Sequence, residues 1–499
     1  VKFLIENRKA WVAEASPAQV LWLREKLTWE PNTEDEETLL HPTLDGQNHW
    51  THPGLAYHLK SICQFPIEIE DRDEIDYKRV YIPNHILDGI TLFDFQVACA
   101  NKSLTCKRGI NLVPTGGGKG EIILAISKYL LHQPGKTTIV VPTVLLADQL
   151  TKRAIKRGLG HQIGIVGEGK CQTDKPIVVG VVNSLSIGVK HNKSRIIALR
   201  DNTSTLLLDE VQHLRAKSWS GLAEDFGSER LLGFSGSPFH NDDILENSGD
   251  ALVYGIAQRV IFRTPYSYLR QLGLIALPIV HFEMSPGRMS KSRAPYHRIY
   301  DQNITRNAKR NQQILNGIHQ FTSRGFKTLV IVNRLEHAEL LMKGLANYNA
   351  IAVFGGSQSI QQNNWGRLEY GPVSYDWFLQ EFETGRWDVA IISSVGDEGM
   401  DIPSVGAVIL AGGGKSRIQL IQRIGRGSRS KKRGWNVVYI LDFWDGSHVY
   451  MRGHSKKRLK ICVDIECRIA ADGYEFWNQV HQHYESMRNE NALALQSRL

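Results

Sequence analysis

The chain has 499 residues, with 60 Lys and Arg against 51 Asp and Glu, a formal charge of +9 and a pI near 9.1. That length exceeds what one hydrophobic core serves and predicts two large domains with a smaller addition. No run approaches the ~18 apolar residues of a membrane span, and the N-terminus lacks the basic-then-apolar pattern of a signal peptide, so a soluble, cytoplasmic protein is expected. Cys63, Cys99, Cys106, Cys171, Cys462 and Cys467 include no pair with the CxxC spacing of a zinc or redox site, and reduced core residues are expected.

Along the chain, VKFLIENRKAWVAEA alternates as two short strands. Ser16-Pro17 then opens a helix whose Val20, Leu21, Leu23 and Leu27 form the expected buried stripe. A small α+β module is expected over residues 1–85, with an acid-rich stretch from Glu30 to Asp76. From Phe93 onward apolar β-rich runs alternate with helical patterns: INLVP, EIILAISKYLL, TTIVVP, VLLADQLTKRAI, PIVVGVV, STLLLDE and ERLLGFSGSP. This alternation predicts a parallel sheet covered by helices over residues 86–285. A polar, basic, turn-rich segment from Met284 to Tyr296 marks the expected boundary. A second β/α series, KTLVIVN, HAELLMKGL, AIAVFGG, DVAIISS, AVILAGG and NVVYILD, predicts another α/β domain over residues 296–450, and residues 451–499 read as a C-terminal helical extension.

The first chemical signal is VPTGGGKGEI, after a strand and before a helix. Backbone N–H groups of such a turn curl around a phosphate at a helix N-terminus, and Gly116, Gly117 and Gly118 permit the close approach. Pro114, Thr115, Gly116, Gly117, Gly118, Lys119, Gly120 and Glu121 are therefore the candidate nucleotide cradle, with Lys119 neutralising the β- and γ-phosphates. Position 120 breaks the pattern: a phosphate loop expects Ser or Thr there to ligate magnesium, and Gly120 predicts weakened metal binding. Taken alone, the motif also fits a glycine-rich turn packing a helix on a sheet.

Asp209 and Glu210 close the apolar run LLL, at the edge where α/β proteins bind ligands. Asp209 is the candidate magnesium carboxylate and Glu210 the base for the attacking water; the plain alternative is a helix cap and first-turn acid. Upstream, Gln96 can read an adenine edge with Phe95 against the base, or be an ordinary polar residue of an amphipathic helix. In QRIGRGSR, Gln422, Arg426 and Arg429 share one helical face and can stabilise charge on a transferred phosphoryl, or else line a basic surface helix. Between Gly356 and Tyr375 a polar insertion carrying Trp365 and Tyr370 predicts a projecting hairpin whose aromatic ring stacks on bases, or a surface loop packed on its own domain.

With these residues in view, the chain resembles superfamily-two helicases of the DExH type, in particular the XPB-like and phage UvsW-like DNA helicases, over roughly residues 88–450. PTGGGKG resembles motif I, DEVQH motif II, FSGSPF (Phe234–Phe239) motif III, SSVGDEGMDIP (Ser393–Pro403) motif V and QRIGRGSR motif VI. The resemblance implies two RecA-like domains clasping ATP and magnesium, with DNA across both and 3′-to-5′ movement. It further implies that Ser235, Ser237 and His213 couple ATP to the strand, that Glu398, Gly399 and Asp401 line both sites, and that Pro142, Thr143, Asn183, Ser184, Asn333, Arg334 and Ser393 touch nucleic acid. Phe93 stands where many relatives carry an arginine, which departs from the adenine contacts of the family. The expected activity is ATP-driven unwinding or branch migration of forked or branched DNA in replication, recombination or repair. A duplex translocase, an RNA helicase and a non-hydrolysing nucleotide switch are the alternatives.

Overall fold

A computed structural model describes residues 1–6, 9–29, 37–42, 49–71, 80–241, 243–286, 294–354, 358–363, 367–393, 405–414 and 436–496. Gln422, Arg426 and Arg429, Glu398, Gly399 and Asp401, and Trp365 lie outside them. The chain divides into two compact units, Val1–Pro114 with Gly118–Thr264, and Thr115–Gly117 with Pro265–Leu499. Both large units are α/β with parallel-rich sheets, as the alternating runs require.

The first unit is built on an eight-stranded sheet in the order Lys170–Cys171, Ile163–Gly167, Ile177–Val181, Lys136–Val141, Thr203–Asp209, Arg230–Ser235, Arg108–Leu112 and Val260–Arg263. All its pairings are parallel except the first. Central strands are buried throughout, for example Arg230–Ser235, which explains their unbroken apolar runs. Helices Lys119–Leu130 and Val144–Lys156 follow two of the strands as right-twisted sheets demand.

The N-terminal module forms its own five-stranded sheet, including the hairpin Lys2–Glu6 with Lys9–Glu14. Ser16 begins the helix Pro17–Lys26 with a capping box to Gln19. Leu23 and Leu27 are fully buried, but Leu21 is 66% exposed, so the apolar stripe is narrower than its sequence implied. The module has its own core, built on Phe3, Ile5, Leu23 and Leu27, and one side of it is closed from outside the module. Leu55 and Ala56 share it with Ala251 of the helix Ser248–Ala257, and a Cβ on Gly54 would stand 2.1 Å from the Tyr254 carbonyl oxygen.

The second unit has a nine-stranded sheet: Leu368–Pro372, Gln358–Gln362, Ala350–Phe354, Val389–Ser393, Thr328–Val332, Ala407–Ile409, Val437–Trp444, Leu277–Met284 and Arg468–Ile469. Two expected boundaries move. Leu277–Met284 pairs in parallel along its whole length with Val437–Trp444, so the division falls at Thr264/Pro265 rather than near Met284–Tyr296. Residues 451–499 are no appendage either: Phe476 and Val480 are core residues, and Arg468–Ile469 adds an edge strand beside Leu277–Met284. The insertion after Phe354 is a hairpin, Gln358–Gln362 against Leu368–Pro372.

Candidate active site

Strand Arg108–Leu112 leads into the phosphate loop, and the N–H of Val113 donates to the Ser235 carbonyl (3.0 Å), fastening the loop's approach to the end of the neighbouring strand. Gly116 and Gly118 take φ of +91° and +78°, in the left-handed region that side chains avoid. Gly118 caps the helix whose first residue is Lys119. That chain path opens backbone N–H groups toward an anion, which is what the glycine run implied.

Asp209 ends its strand and Glu210 follows with φ +64°, a conformation costing a non-glycine residue about 1–3 kcal/mol. The strained turn brings Glu210 Oε1 to 3.0 Å from Lys119 Nζ, while Gln212 Nε2 donates to Glu210 Oε2 at 2.8 Å. Burial raises the Glu210 carboxyl, but the charge of Lys119 and the hydrogen bonds from Gln212 and Lys119 outweigh it and hold the group below its ordinary value. Beside it, burial and then the charge of Glu210 push Asp209 up to about 6. Asp209 Oδ1 is buried with no hydrogen-bond partner among the described residues. An orphaned, acceptor-only oxygen beside a phosphate loop is a donor set that fits a hard cation such as magnesium.

Gln96 lies against the loop: its Oε1 accepts from the Phe93 N–H (3.0 Å), and a Cβ on Gly118 would meet its Nε2 at 2.4 Å. Phe95 is buried at 6% exposure, which removes it as the ring against a base. Phe93, 41% exposed and stacked on Phe95 with centroids 6.1 Å apart, is the aromatic face available there. Glu121 is held by Arg157 through two hydrogen bonds of 3.1 Å. Gly120 is buried, and the space a side chain would take there is filled by the guanidinium of Arg153, from the helix Val144–Lys156.

His213 stacks on Trp219 with centroids 5.1 Å apart. Ser235 is fully buried and its Oγ accepts from the Ser237 N–H. These two segments are joined by Asp250, which by sequence is an ordinary first-turn aspartate. The buried Asp250 carboxylate accepts from Arg215, which follows motif II, and from the His240 and Asn241 N–H groups, which follow motif III. Arg215 also donates to the carbonyls of Gln212 and Pro238. Pro142 precedes Thr143, which caps the helix Val144–Lys156 through its Oγ1, and in the first turn of the helix Val182–Lys190 Asn183 is exposed and Ser184 half-buried.

In the second unit Asn333 Nδ2 donates to the Gly412 carbonyl at 2.8 Å, and Arg334 pairs with Asp301 and lies over the Tyr300 ring. Ser393 is buried at its strand end. The turn at 411–414 is fixed from several sides: Arg310 donates to the Ala411 carbonyl, Tyr300 to Gly412 and Arg458 to Gly414. Arg310 and Arg458 are in turn neutralised by Asp445 and Asp442 in the protein interior. The cysteines are all free; Cys99 and Cys462 are buried, whereas Cys63, Cys106, Cys171 and Cys467 are half-buried and so not the core residues expected.

A phosphate loop and a carboxylate pair at adjoining ends of a parallel sheet, with a second RecA-type sheet in the same chain, define a nucleoside-triphosphate-driven helicase. Residues 90–240 match the family described as the type III restriction enzyme res subunit, and residues 309–431 match the helicase conserved C-terminal domain. The DNA 3′-5′ translocase XPB2 of Sulfurisphaera tokodaii is 27% identical over 383 residues, 71% of this chain and 82% of the relative. A fragment of a putative type I restriction HsdR subunit from Vibrio vulnificus shares the fold, with a TM-score of 0.55 at 16% identity over 86% of this chain and 76% of that one. Bacteriophage T4 UvsW aligns over 94% of this chain and 98% of its own at 17% identity and a TM-score of 0.42. The chain belongs to the superfamily-two helicases, ATP-dependent enzymes, and is related to the XPB type.

Proposed function

We propose that this helicase hydrolyses ATP around Lys119, Asp209 and Glu210 to move 3′-to-5′ along DNA and to unwind or branch-migrate forked or branched forms in replication, recombination or repair. The observation that carries the reading is the 3.0 Å contact of Lys119 with Glu210 across two strand ends. Phosphates entering the loop compete for Lys119, and the Glu210 carboxylate so released is free to orient a water and accept its proton. Asp209 and water would hold magnesium, which supplies charge neutralisation at the phosphates. Gln422, Arg426 and Arg429 are the candidates to stabilise the transferred phosphoryl, and Gly399 and Asp401 are further candidates for the nucleotide.

DNA is favoured as the substrate because the related XPB2 is named a DNA 3′-5′ translocase. Asn183 is exposed and suits a strand contact, whereas Asn333 and Arg334 are spent on contacts within their own unit. The test is steady-state ATP hydrolysis with no nucleic acid, single-stranded, duplex, forked and four-way DNA, and RNA. Stimulation greatest with branched DNA is the expected result; stimulation by RNA alone would replace the substrate, and no hydrolysis with any of them would return the chain to a nucleotide switch. Glu210→Gln should stop turnover and spare ATP binding.

A further inference from the structure

The site leaves Gly120 unexplained. It lies in the first turn of the helix that carries Lys119, where a phosphate loop has a hydroxyl for the metal. The missing side chain has not left a void. A Cβ at Gly120 would fall 2.3 Å from Arg153 Nη1, 3.4 Å from the guanidinium carbon and 3.6 Å from Leu150 Cδ1. A side chain at 120 and the guanidinium therefore exclude one another, and this chain has chosen the guanidinium.

Arg153 is not fixed there by a strong partner. Its closest carboxylate oxygen among the described residues is Glu121 Oε1, 3.9 Å from Nε, beyond hydrogen-bonding distance. The Glu121 carboxylate is already held by Arg157. Arg153 keeps 42% of its side chain exposed, and its charge reaches Asp209, whose acidity it increases. A guanidinium offers a fork of N–H donors that matches phosphate oxygens, and it offers a metal no lone pair.

We propose that Arg153 takes over at Gly120 the place of the loop hydroxyl, so that this site holds the polyphosphate with a protein cation where a Ser or Thr would hold magnesium. This rests on the nucleotide site assigned above. Its consequence is ATP binding that depends less on magnesium than in a loop with a hydroxyl, since the added positive charge attracts phosphate and opposes a divalent cation.

The experiment measures equilibrium binding of ATP and ADP to the full chain, by calorimetry, in EDTA and in magnesium. The variants are Arg153→Gln, Arg153→Lys, Gly120→Ser, the double variant Gly120→Ser with Arg153→Gln, and Lys119→Ala. A charge-assisted contact is worth about ten- to a hundredfold in binding, so R153Q should weaken binding in EDTA by that factor while R153K retains most of it. The double variant should bind poorly in EDTA and gain more from magnesium than the wild type does. Circular dichroism melts of the wild type, R153Q and R153K should coincide, because the Arg153 side chain is 42% exposed. Equal affinities of wild type and R153Q in EDTA would overturn the role of Arg153 and leave the nucleotide site standing. Absence of binding to the wild type, or binding indifferent to K119A, would remove the nucleotide site itself.

Discussion

Asp250→Asn removes one charge and almost no volume, which makes it a sharp probe of the link between motifs II and III. The carboxylate side chain is fully buried and accepts from Arg215, the His240 and Asn241 N–H groups and Asn247 Nδ2, the last three at 2.9–3.0 Å. Burial alone would raise its pKa, but the His240 and Arg215 hydrogen bonds and the Arg215 charge prevail, and the carboxyl sits well below the usual carboxylate range. An amide has one acceptor oxygen in place of two, so at least one donor is stranded and Arg215 loses its counter-charge inside the protein. Breaking one side of a buried pair costs about 3–5 kcal/mol. The expected result is a loss of that size in the urea unfolding of the first unit. Nucleic-acid stimulation of the ATPase should fall further than basal hydrolysis, because Arg215 and the His240 and Asn241 backbone, which follow His213 and Ser237 in the chain, are no longer held by one anchor. The pH signature follows from the depressed pKa. The stabilisation is complete above about pH 4, the unfolded-state value, and is lost as pH falls below it, so the variant should show a shallower acid limb. Arg215→Met leaves the fully buried Asp250 without its counter-charge and should cost a comparable amount. A D250N loss below about 0.5 kcal/mol, the range of ordinary surface changes, would refute the reasoning.

Arg310→Met should lower the stability of the second unit by about 3–5 kcal/mol by leaving Asp445 buried without its 2.8 Å partner, and replacing both residues with apolar ones should recover much of it. His337, fully buried beside Asn311, is lowered to about 3 from its ordinary 6.5 by burial first and by the Arg310 charge second. Below pH 6.5 only the unfolded chain takes up that proton, so stability should fall as pH drops, by about 2 kcal/mol between pH 6.5 and 5, and His337→Asn should remove that slope in pH-dependent unfolding. The hairpin can be tested only at its turn. Ile360 is 1% exposed within the second core, so deleting residues 358–370 would remove part of that core. Replacing residues 363–367 by Asn-Gly should keep ATP hydrolysis and slow fork unwinding about tenfold if an aromatic there stacks on a base; unchanged unwinding would assign the hairpin to structure alone.

Sequence periodicity located most strands and helices because buried parallel strands are unbroken apolar runs, as in Thr328–Val332 and Val389–Ser393. It could not say which sheet a strand joins. Leu277–Met284 belongs to the second sheet by pairing with Val437–Trp444, a contact between distant parts of the chain that no local pattern encodes. The glycine run, Lys119 and the Asp209-Glu210 pair were legible because phosphate chemistry restricts residue type at fixed spacing. Phe95 adjoins Gln96 in sequence, yet Phe93 is the helix cap and its ring remains exposed while Phe95 turns into the core. Arg153 and Asp250 left no signal at all. Each acts on residues that the crossover connections bring near, and an arginine on a polar helix face or an aspartate in a first turn is ordinary by sequence.

The shared core of the N-terminal module has a consequence for how the chain is made. Leu55 and Ala56 meet Ala251 only after the helix Ser248–Ala257 exists, about two hundred residues further along. At roughly 5–20 residues per second of synthesis, the first strands and helices wait about 10–40 s for the surface that completes them. During that interval the side of the module that carries Gly54 and Leu55 is open to water or to a chaperone, and its strand edges are open to other nascent chains. Expression yield should therefore respond to the speed of translation through the first unit, and a fragment ending before Ala257 would leave the module without its lid.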